Sequence, residues 1–175
     1  MHHKKLYVGL GSNLGDRAGH LLYAARGMLA AGLCVTRLSS VYETEPVDVR
    51  AQPAFLNMVA ELRGDMPYTP EQVLARLLRI EYALGRRRDV PKGPRTIDLD
   101  LLLHGDVQQA TELLTLPHPR LHLRRFILTP LAELAPEVEH PKLRQTVQQL
   151  LAGLRDATSF RLWQPKRGSR IGDES

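Results

Sequence analysis

The chain has 175 residues, with 24 Lys plus Arg against 19 Asp plus Glu and a formal charge of +5. That length suits one domain and buries ~70% of the surface an unfolded chain would expose, so folding needs no disulfide. The 43% hydrophobic and 25% charged shares exclude a disordered chain, and no run approaches the ~20 apolar residues of a membrane-spanning helix. Met1 to Lys5 leads straight into Leu6-Tyr7-Val8 without the apolar core of a signal peptide. Cys34, the single cysteine, excludes an internal disulfide and a cysteine-based zinc site. It is expected as a small thiol buried in a strand, and the default compartment is a reducing cytoplasm.

In chain order, Leu6, Val8 and Leu10 alternate with Tyr7 and Gly9 as a first strand, and Gly11 to Asp16 reads as a loop. Leu21, Leu22, Ala25, Met28 and Leu29 recur at helical spacing up to a stop at Gly32. Residues 33–42 read as a second strand, Glu43 to Pro53 as a loop, and residues 55–62 as a third strand. Thr69-Pro70-Glu71-Gln72 is a helix start with a capping box. Its stripe is Val73, Leu74, Leu77, Leu78, Ile80 and Leu84, ended by Gly85. A basic loop precedes a fourth strand at roughly 96–103. Residues 122–134 read as helical around Pro130, and Val147, Leu150, Leu151 and Leu154 suggest a last helix. The order strand, helix, strand, strand, helix, strand predicts an α+β, ferredoxin-like sandwich with a mostly antiparallel sheet. Two helices cover one face, and the other stays open unless something else covers it. The reading is one domain over residues 1–163 and a polar, basic, flexible tail over 164–175.

Period-two alternation splits two strands into faces. In the third, Leu56, Met58, Ala60 and Leu62 oppose Phe55, Asn57, Val59 and Glu61. In the fourth, Ile97, Leu99, Leu101 and Leu103 oppose Thr96, Asp98, Asp100 and Leu102. Asp98 and Asp100 therefore point the same way, roughly 6–7 Å apart at the backbone. Like charges that close suit a cation between them, and magnesium takes one or two carboxylates plus substrate phosphates. The plain alternative is an exposed strand whose acids pair with Lys or Arg. Arg86, Arg87, Arg88, Lys92 and Arg95 fall within ten residues. Such a cluster fits a small polyanion better than a nucleic-acid backbone, because no aromatic residue interleaves it. A solvated basic loop is its plain alternative. No P-loop or full Rossmann fingerprint occurs, and the histidines lack zinc spacing. His118, between Pro117 and Pro119, reads either as a fixed functional side chain or as a structural hydrogen-bonding group.

Several stretches together resemble the hydroxymethyl-dihydropterin pyrophosphokinase family of folate biosynthesis. They are Gly11-Ser12-Asn13-Leu14-Gly15, Ser39 to Val47, Gln52 to Asn57, Arg79-Ile80-Glu81, Gly93 to Asp100, Leu116 to Leu121 and Arg124 to Leu131. The resemblance runs in order over about residues 6 to 140. It implies a ferredoxin-like fold and transfer of the terminal diphosphate of ATP to the hydroxymethyl group of a reduced pterin, releasing AMP. It also implies Asp98 and Asp100 as ligands of two magnesium ions, and Arg86 and Arg95 as the arginines that steady the polyphosphate. By the same resemblance Glu81, Arg88, Leu101, Thr115, His118 and Arg124 surround the ATP. Phe55 and Phe126 sandwich the pterin, while Asn57 and the backbone of Thr44, Glu45, Pro46 and Val47 read its edge. Three positions depart from some members: Lys92 is nearest to a loop tryptophan, Pro119 replaces an aromatic, and Phe55 replaces a tyrosine. The partners so implied are the two small substrates, with no nucleic acid or membrane, and the chain is expected to act as a monomer. The competing class is a nucleic-acid-binding ferredoxin-like module, favoured by an open sheet face and a pI near 9.7. Another rival is a different metal-dependent nucleotidyl or phosphoryl transferase using the same acids.

Overall fold

A computed structural model of the chain describes residues 4–46, 51–87 and 91–165. Strand β1 (Lys5–Ser12) lies between β4 (Phe55–Arg63) and β5 (Asp98–His104), both antiparallel to it. Helices α1 (Arg17–Ala30) and α2 (Pro70–Ala83) connect the strands in the expected order. Thr69 caps α2 through a complete capping box with Gln72, and Gly85 leaves the helix at φ +78°. Asp16 caps α1 by accepting from the Gly19 N–H at 3.0 Å.

The single strand expected over residues 33–42 is instead two. These are β2 (Val35–Leu38) and β3 (Tyr42–Thr44), and both pair antiparallel with β4. Ser39 causes the break: its backbone N–H donates to Val59 O, and its hydroxyl accepts from Val59 N–H at 2.9 Å. A side chain thus replaces a ladder carbonyl, and the chain steps outward before β3 begins. Glu43 and Thr44, expected in a loop, belong to β3. Cys34 precedes β2 and is exposed rather than buried in a strand.

A further strand, β8 (Phe160–Leu162), pairs antiparallel with β3 and forms the sheet edge, giving the order β5-β1-β4-β3-β8 with β2 also on β4. A small hairpin, β6 (Gln109–Ala110) with β7 (Thr115–Leu116), lies apart from this sheet. Neither β8 nor the hairpin was expected.

One core lies between the sheet and α1 with α2. Leu6, Val8 and Leu10 from β1, Leu56, Met58, Ala60 and Leu62 from β4, and Leu99 and Leu101 from β5 meet Met28, Leu77 and Ile80 there. The contact face of α1 is Leu21, Ala24, Ala25 and Met28, while Leu22 and Leu29, expected in its stripe, are exposed, as is Leu78 on α2. A Cβ on Gly27 would come within 3.1 Å of Ile80, so the two helices meet too closely for a large side chain on that line.

The second sheet face is covered over much of its length. Helix α3 (Arg125–Leu134), preceded by a 3-10 turn at Leu121–Leu123, packs on β4, and α4 (Val147–Gly153) packs on α3. Tyr7, Val59, Leu102, Leu103, Leu128 and Leu131 fill this second core. Leu103 was expected on the α1/α2 side. The register shifts where Tyr7 pairs with Leu103 and Val8 with Leu101, which leaves Leu102 as an extra residue. That bulge turns both Leu102 and Leu103 to one side. The architecture is an α+β, ferredoxin-like sandwich with a second helical layer. No helix among the described residues is long and apolar enough to cross a membrane.

Candidate active site

The site begins with two glycines. Gly11 on β1 pairs with Asn57 on β4 and with Asp98 on β5, and Gly9 pairs with Val59 and Asp100. Residues directly opposite each other point to the same face. Two rows, Asn57–Gly11–Asp98 and Val59–Gly9–Asp100, therefore face away from α1 and α2. With glycine in the middle of each row, β1 forms a floor without side chains. A Cβ on Gly11 would lie 2.9 Å from Asn57 Oδ1 and 3.7 Å from Phe55 Cδ1. Above this floor opens a cavity of about 250 Å3, bounded by β3, the start of β4, the start of β5 and the start of α3.

One end of the cavity is built from two aromatic rings and an amide, with Glu45 beside them. Phe55, the first residue of β4, and Phe126, the second of α3, both line it. Asn57 Nδ2 donates to Thr44 Oγ1 at 2.7 Å, which fixes the amide with its Oδ1 toward Gly11. The Arg95 guanidinium lies 5.0 Å from the Phe55 ring centre, and that of Arg124 lies 5.4 Å from the Phe126 ring centre. Each ring thus has a cation over it, within the range of cation–π attraction.

The other end is charged. Glu81 sits in the apolar stripe of α2, only 3% exposed, and accepts from Leu99 N–H at 2.8 Å and from Arg86 Nη1 at 2.7 Å. The same Arg86 nitrogen reaches Asp98 Oδ1 at 2.5 Å, and Arg95 Nε lies 3.4 Å from Asp98 Oδ2. Burial, and then the neighbouring Asp98 carboxylate, push the Asp100 carboxyl up to about 7, against the opposing pull of Arg124 and Arg86. The Nε–H groups of Arg86 and Arg95 are buried without a hydrogen-bond acceptor among the described residues.

Asn13, 1% exposed, ties the surrounding loops together. Its Oδ1 accepts from Arg95 N–H at 2.9 Å, and its Nδ2 donates to Gln52 Oε1 at 3.0 Å and to Pro53 O at 3.1 Å. The segments that carry Arg95 and Phe55 are thereby anchored to the end of β1.

Of the residues singled out in the sequence, Thr44, Glu45, Phe55, Asn57, Arg95, Asp98, Asp100, Arg124 and Phe126 line the cavity. Glu81 and Arg86 stand behind Asp98. The Leu101 side chain points into the core under α1 and α2, so only its backbone is available. Thr115, on β7, is exposed and outside the lining. His118 is also outside it and half-buried; its N–H donates to Leu102 O at 2.9 Å, and its Nδ1 accepts from Arg120 N–H at 3.2 Å. Burial, reinforced by the Arg124 charge, lowers the His118 imidazole to about 4, which leaves the ring neutral at neutral pH. Pro46 adjoins Glu45 but does not line the cavity. Val47 and Arg88 lie outside the described residues. The floor glycines Gly9 and Gly11, together with Gln52, Arg120 and Leu123, also line the cavity, and the sequence reading gives them no role.

The chain matches the family model described as 7,8-dihydro-6-hydroxymethylpterin-pyrophosphokinase (HPPK) over residues 7–136. It is 40% identical over 163 residues to the Bacillus subtilis 2-amino-4-hydroxy-6-hydroxymethyldihydropteridine pyrophosphokinase, covering 93% of this chain and 92% of that protein. The protein of the same name from Aquifex aeolicus is 38% identical over 144 residues, covering 82% and 88%. The mitochondrial folate synthesis bifunctional protein of Arabidopsis thaliana is 42% identical over 130 residues, which are 74% of this chain but 23% of that protein. Among solved structures, wild-type Plasmodium falciparum HPPK-DHPS with pterin and p-hydroxybenzoate superposes with a TM-score of 0.66 at 17% identity. That superposition covers 86% of this chain and 43% of the other, so it speaks for the fold of the shared part. The family match and the near-full-length bacterial relatives agree with the cavity's pairing of two phenylalanines with an acidic, arginine-backed end: this chain belongs to the 7,8-dihydro-6-hydroxymethylpterin-pyrophosphokinase family and is a pyrophosphokinase of folate biosynthesis.

Proposed function

We propose the following division of labour for the transfer of the terminal diphosphate of ATP to the hydroxymethyl group of 6-hydroxymethyl-7,8-dihydropterin, with release of AMP. The pterin ring lies over the Gly9–Gly11 floor between Phe55 and Phe126. A flat heterocycle gains there from two aromatic faces, and Asn57 supplies one donor and one acceptor at its edge. The backbone of Thr44 to Val47 forms the rest of that edge. The observation that carries the reading is that Asn57 and Asp98 flank the same glycine, so heterocycle and polyphosphate meet above one floor.

Asp98 and Asp100 would hold two magnesium ions. The residues present fit that role. They are two hard carboxylates on one face, and Asp100 is pushed toward its neutral form by burial and by Asp98, a pressure that a cation between them relieves. No cluster of three or more such ligands occurs among the described residues, so substrate phosphates and water would complete the coordination. The bound metal supplies neutralisation of the charge that develops on the transferring phosphates. Arg86 is held in place by Glu81 and Asp98. With Arg95 it offers buried Nε–H donors to the polyphosphate, which suits bidentate recognition. Arg124, Arg88, Thr115, His118 and the Leu101 backbone are assigned to the nucleotide. Phosphoryl-type transfer depends on positioning and charge stabilisation, and the proposal needs no general base. One chain furnishes the whole cavity, so the reading needs no partner subunit. It also places the enzyme in the cytoplasm, where the exposed Cys34 thiol stays reduced. A nucleic-acid platform is not favoured, because α3 covers much of the second sheet face and two carboxylates occupy the remainder.

The test is incubation with ATP, magnesium and hydroxymethyl-dihydropterin. AMP and the pterin diphosphate are expected, and ADP release would overturn the transfer chemistry. Asp98→Asn and Asp100→Asn are each expected to lower turnover roughly a thousandfold with an unchanged circular dichroism spectrum. Activity that survives chelation of divalent metal would remove the magnesium assignment.

A further inference from the structure

The residues after α4 connect the two walls of the pterin slot, although they lie beyond the segment matched by the family model. Arg124, the N-cap of α3, has no acceptor on its side chain, so the first helical N–H, that of Arg125, needs one from elsewhere. Asp156 provides it: its Oδ2 accepts from Arg125 N–H at 3.2 Å, while its Oδ1 accepts from Thr158 N–H at 2.8 Å. The next residue of α3 is Phe126. Four residues after Asp156, Phe160 opens β8, where it pairs with Thr44 of β3. The Phe160 ring lies 5.9 Å from Tyr42 and 5.5 Å from the Arg125 guanidinium. Glu45 N–H donates to Ser159 O at 3.3 Å. Arg161 pairs with Glu43, Glu43 pairs with Arg17 at 2.8 Å, and Arg17 Nη1 donates to Ala54 O at 2.8 Å, next to Phe55. One short segment therefore touches both α3 and β3, which carry Phe126 and the Thr44–Glu45 edge, and reaches the start of β4 through Glu43 and Arg17. Among the described residues it makes no such contact with β5, which carries the acids.

We infer that residues 156–161 act as a strap that sets the width of the pterin slot, with Asp156 and Phe160 as positioning residues for Phe126 and for the Thr44–Glu45 edge. This inference rests on the assignment of that slot to the pterin. The acids are held by Glu81, Arg86 and Asn13 instead, so loosening the strap acts first on the pterin side and reaches the nucleotide only through Arg124, the N-cap of α3.

The experiment is calorimetric titration of pterin, and separately of a non-hydrolysable ATP analogue with magnesium, into the wild type, Asp156→Ala and Phe160→Ala, with steady-state kinetics alongside. Each variant is expected to raise the Kd and KM for pterin roughly five- to tenfold, as loss of a helix cap or a ring contact implies, with kcat within about twofold of wild type and a clearly smaller rise in the analogue's Kd, transmitted through Arg124. Both variants alter a half-exposed loop or the sheet edge, and a melting curve checks that each remains folded. Pterin and nucleotide constants that rise by the same factor, or a pterin constant that stays put in folded variants, would overturn the strap. A wild-type protein that binds the analogue but no pterin would instead overturn the slot assignment, and the strap with it.

Discussion

Asn57 and Asp98 are both register partners of Gly11, one on each side, so a single residue without a side chain separates the amide from the first acid. Neighbouring strands lie about 4.8 Å apart, which places the two backbones roughly 10 Å from each other across the floor. Gly11→Ala would set a methyl 2.9 Å from Asn57 Oδ1, whereas Gly9→Ala would meet Leu102 at an ordinary 3.6 Å. Gly11→Ala is therefore expected to weaken pterin binding by about tenfold or more, since a buried polar group loses its geometry. The effect of Gly9→Ala should be smaller. Equal losses in the two variants, measured by pterin titration, would contradict this account of the floor.

Glu81 is a buried carboxylate whose partners are Arg86 and the Leu99 N–H. Removing one member of a buried charge pair strips the other of compensation, and here leaves Arg86 with Asp98 alone among its described carboxylate partners. Glu81→Ala is expected to cost about 3 kcal/mol of folding stability, the low end for a broken buried pair because Asp98 remains, and to lower turnover, because Arg86 loses its brace. Urea unfolding read with kcat would test both halves. A variant of near-normal stability would show that Arg86 finds an equivalent partner.

Asn13 joins the Arg95 backbone to Gln52 and Pro53 through one amide. Asn13→Ala should reduce kcat and also raise the KM for pterin, since the segments leading to both Arg95 and Phe55 lose their anchor. Asn13→Asp keeps the acceptor for Arg95 N–H but loses the donor. Its pterin KM is therefore expected to suffer while the arginine end is spared.

Glu61 lies 2% exposed on the second face of β4. Burial alone would raise its carboxyl, but hydrogen bonds from Arg37, Thr36 and Lys5 prevail and hold it at about 2. A carboxylate depressed in the folded state stabilises the protein above its unfolded pKa, near 4.5. That stabilisation drains away as pH falls toward about 2. Stability should therefore decline between these two values by about 2 kcal/mol, a figure that allows for the half-exposed Arg37 and Lys5. Glu61→Gln should flatten that part of the stability-against-pH curve. An unchanged slope in the variant would assign the acid sensitivity to other groups.

The element order, the α2 capping box and the two-faced pattern of β4 and of the first half of β5 were legible because each rests on local spacing. What escaped was decided by contacts distant in the chain. The hydroxyl of Ser39 competes with the ladder at Val59, so a run that alternates as one strand forms two. The bulge at Leu102 arises from pairing with β1 and puts Leu103 on the side opposite to its apparent phase. In α1, size-ranked hydrophobicity selects Leu22 and Leu29, yet the line of contact runs through Ala24 and Ala25, with Gly27 close against Ile80. β8 has three residues, one of them arginine, and exists because the edge of β3 awaits a partner. Gly9 and Gly11 were readable by the same alternation that sorted β4, since two glycines at i and i+2 leave one stretch of a strand bare.

Cys34 is exposed, and its carbonyl accepts from Arg63 N–H at the far end of β4. Phe55 opens the same strand, so eight residue steps, roughly 27 Å of extended backbone, separate this thiol from the heterocycle's wall. A maleimide fluorophore would attach there at unit stoichiometry without mutagenesis. From that distance it could report substrate capture by energy transfer to a labelled nucleotide, while staying clear of the chemistry it watches.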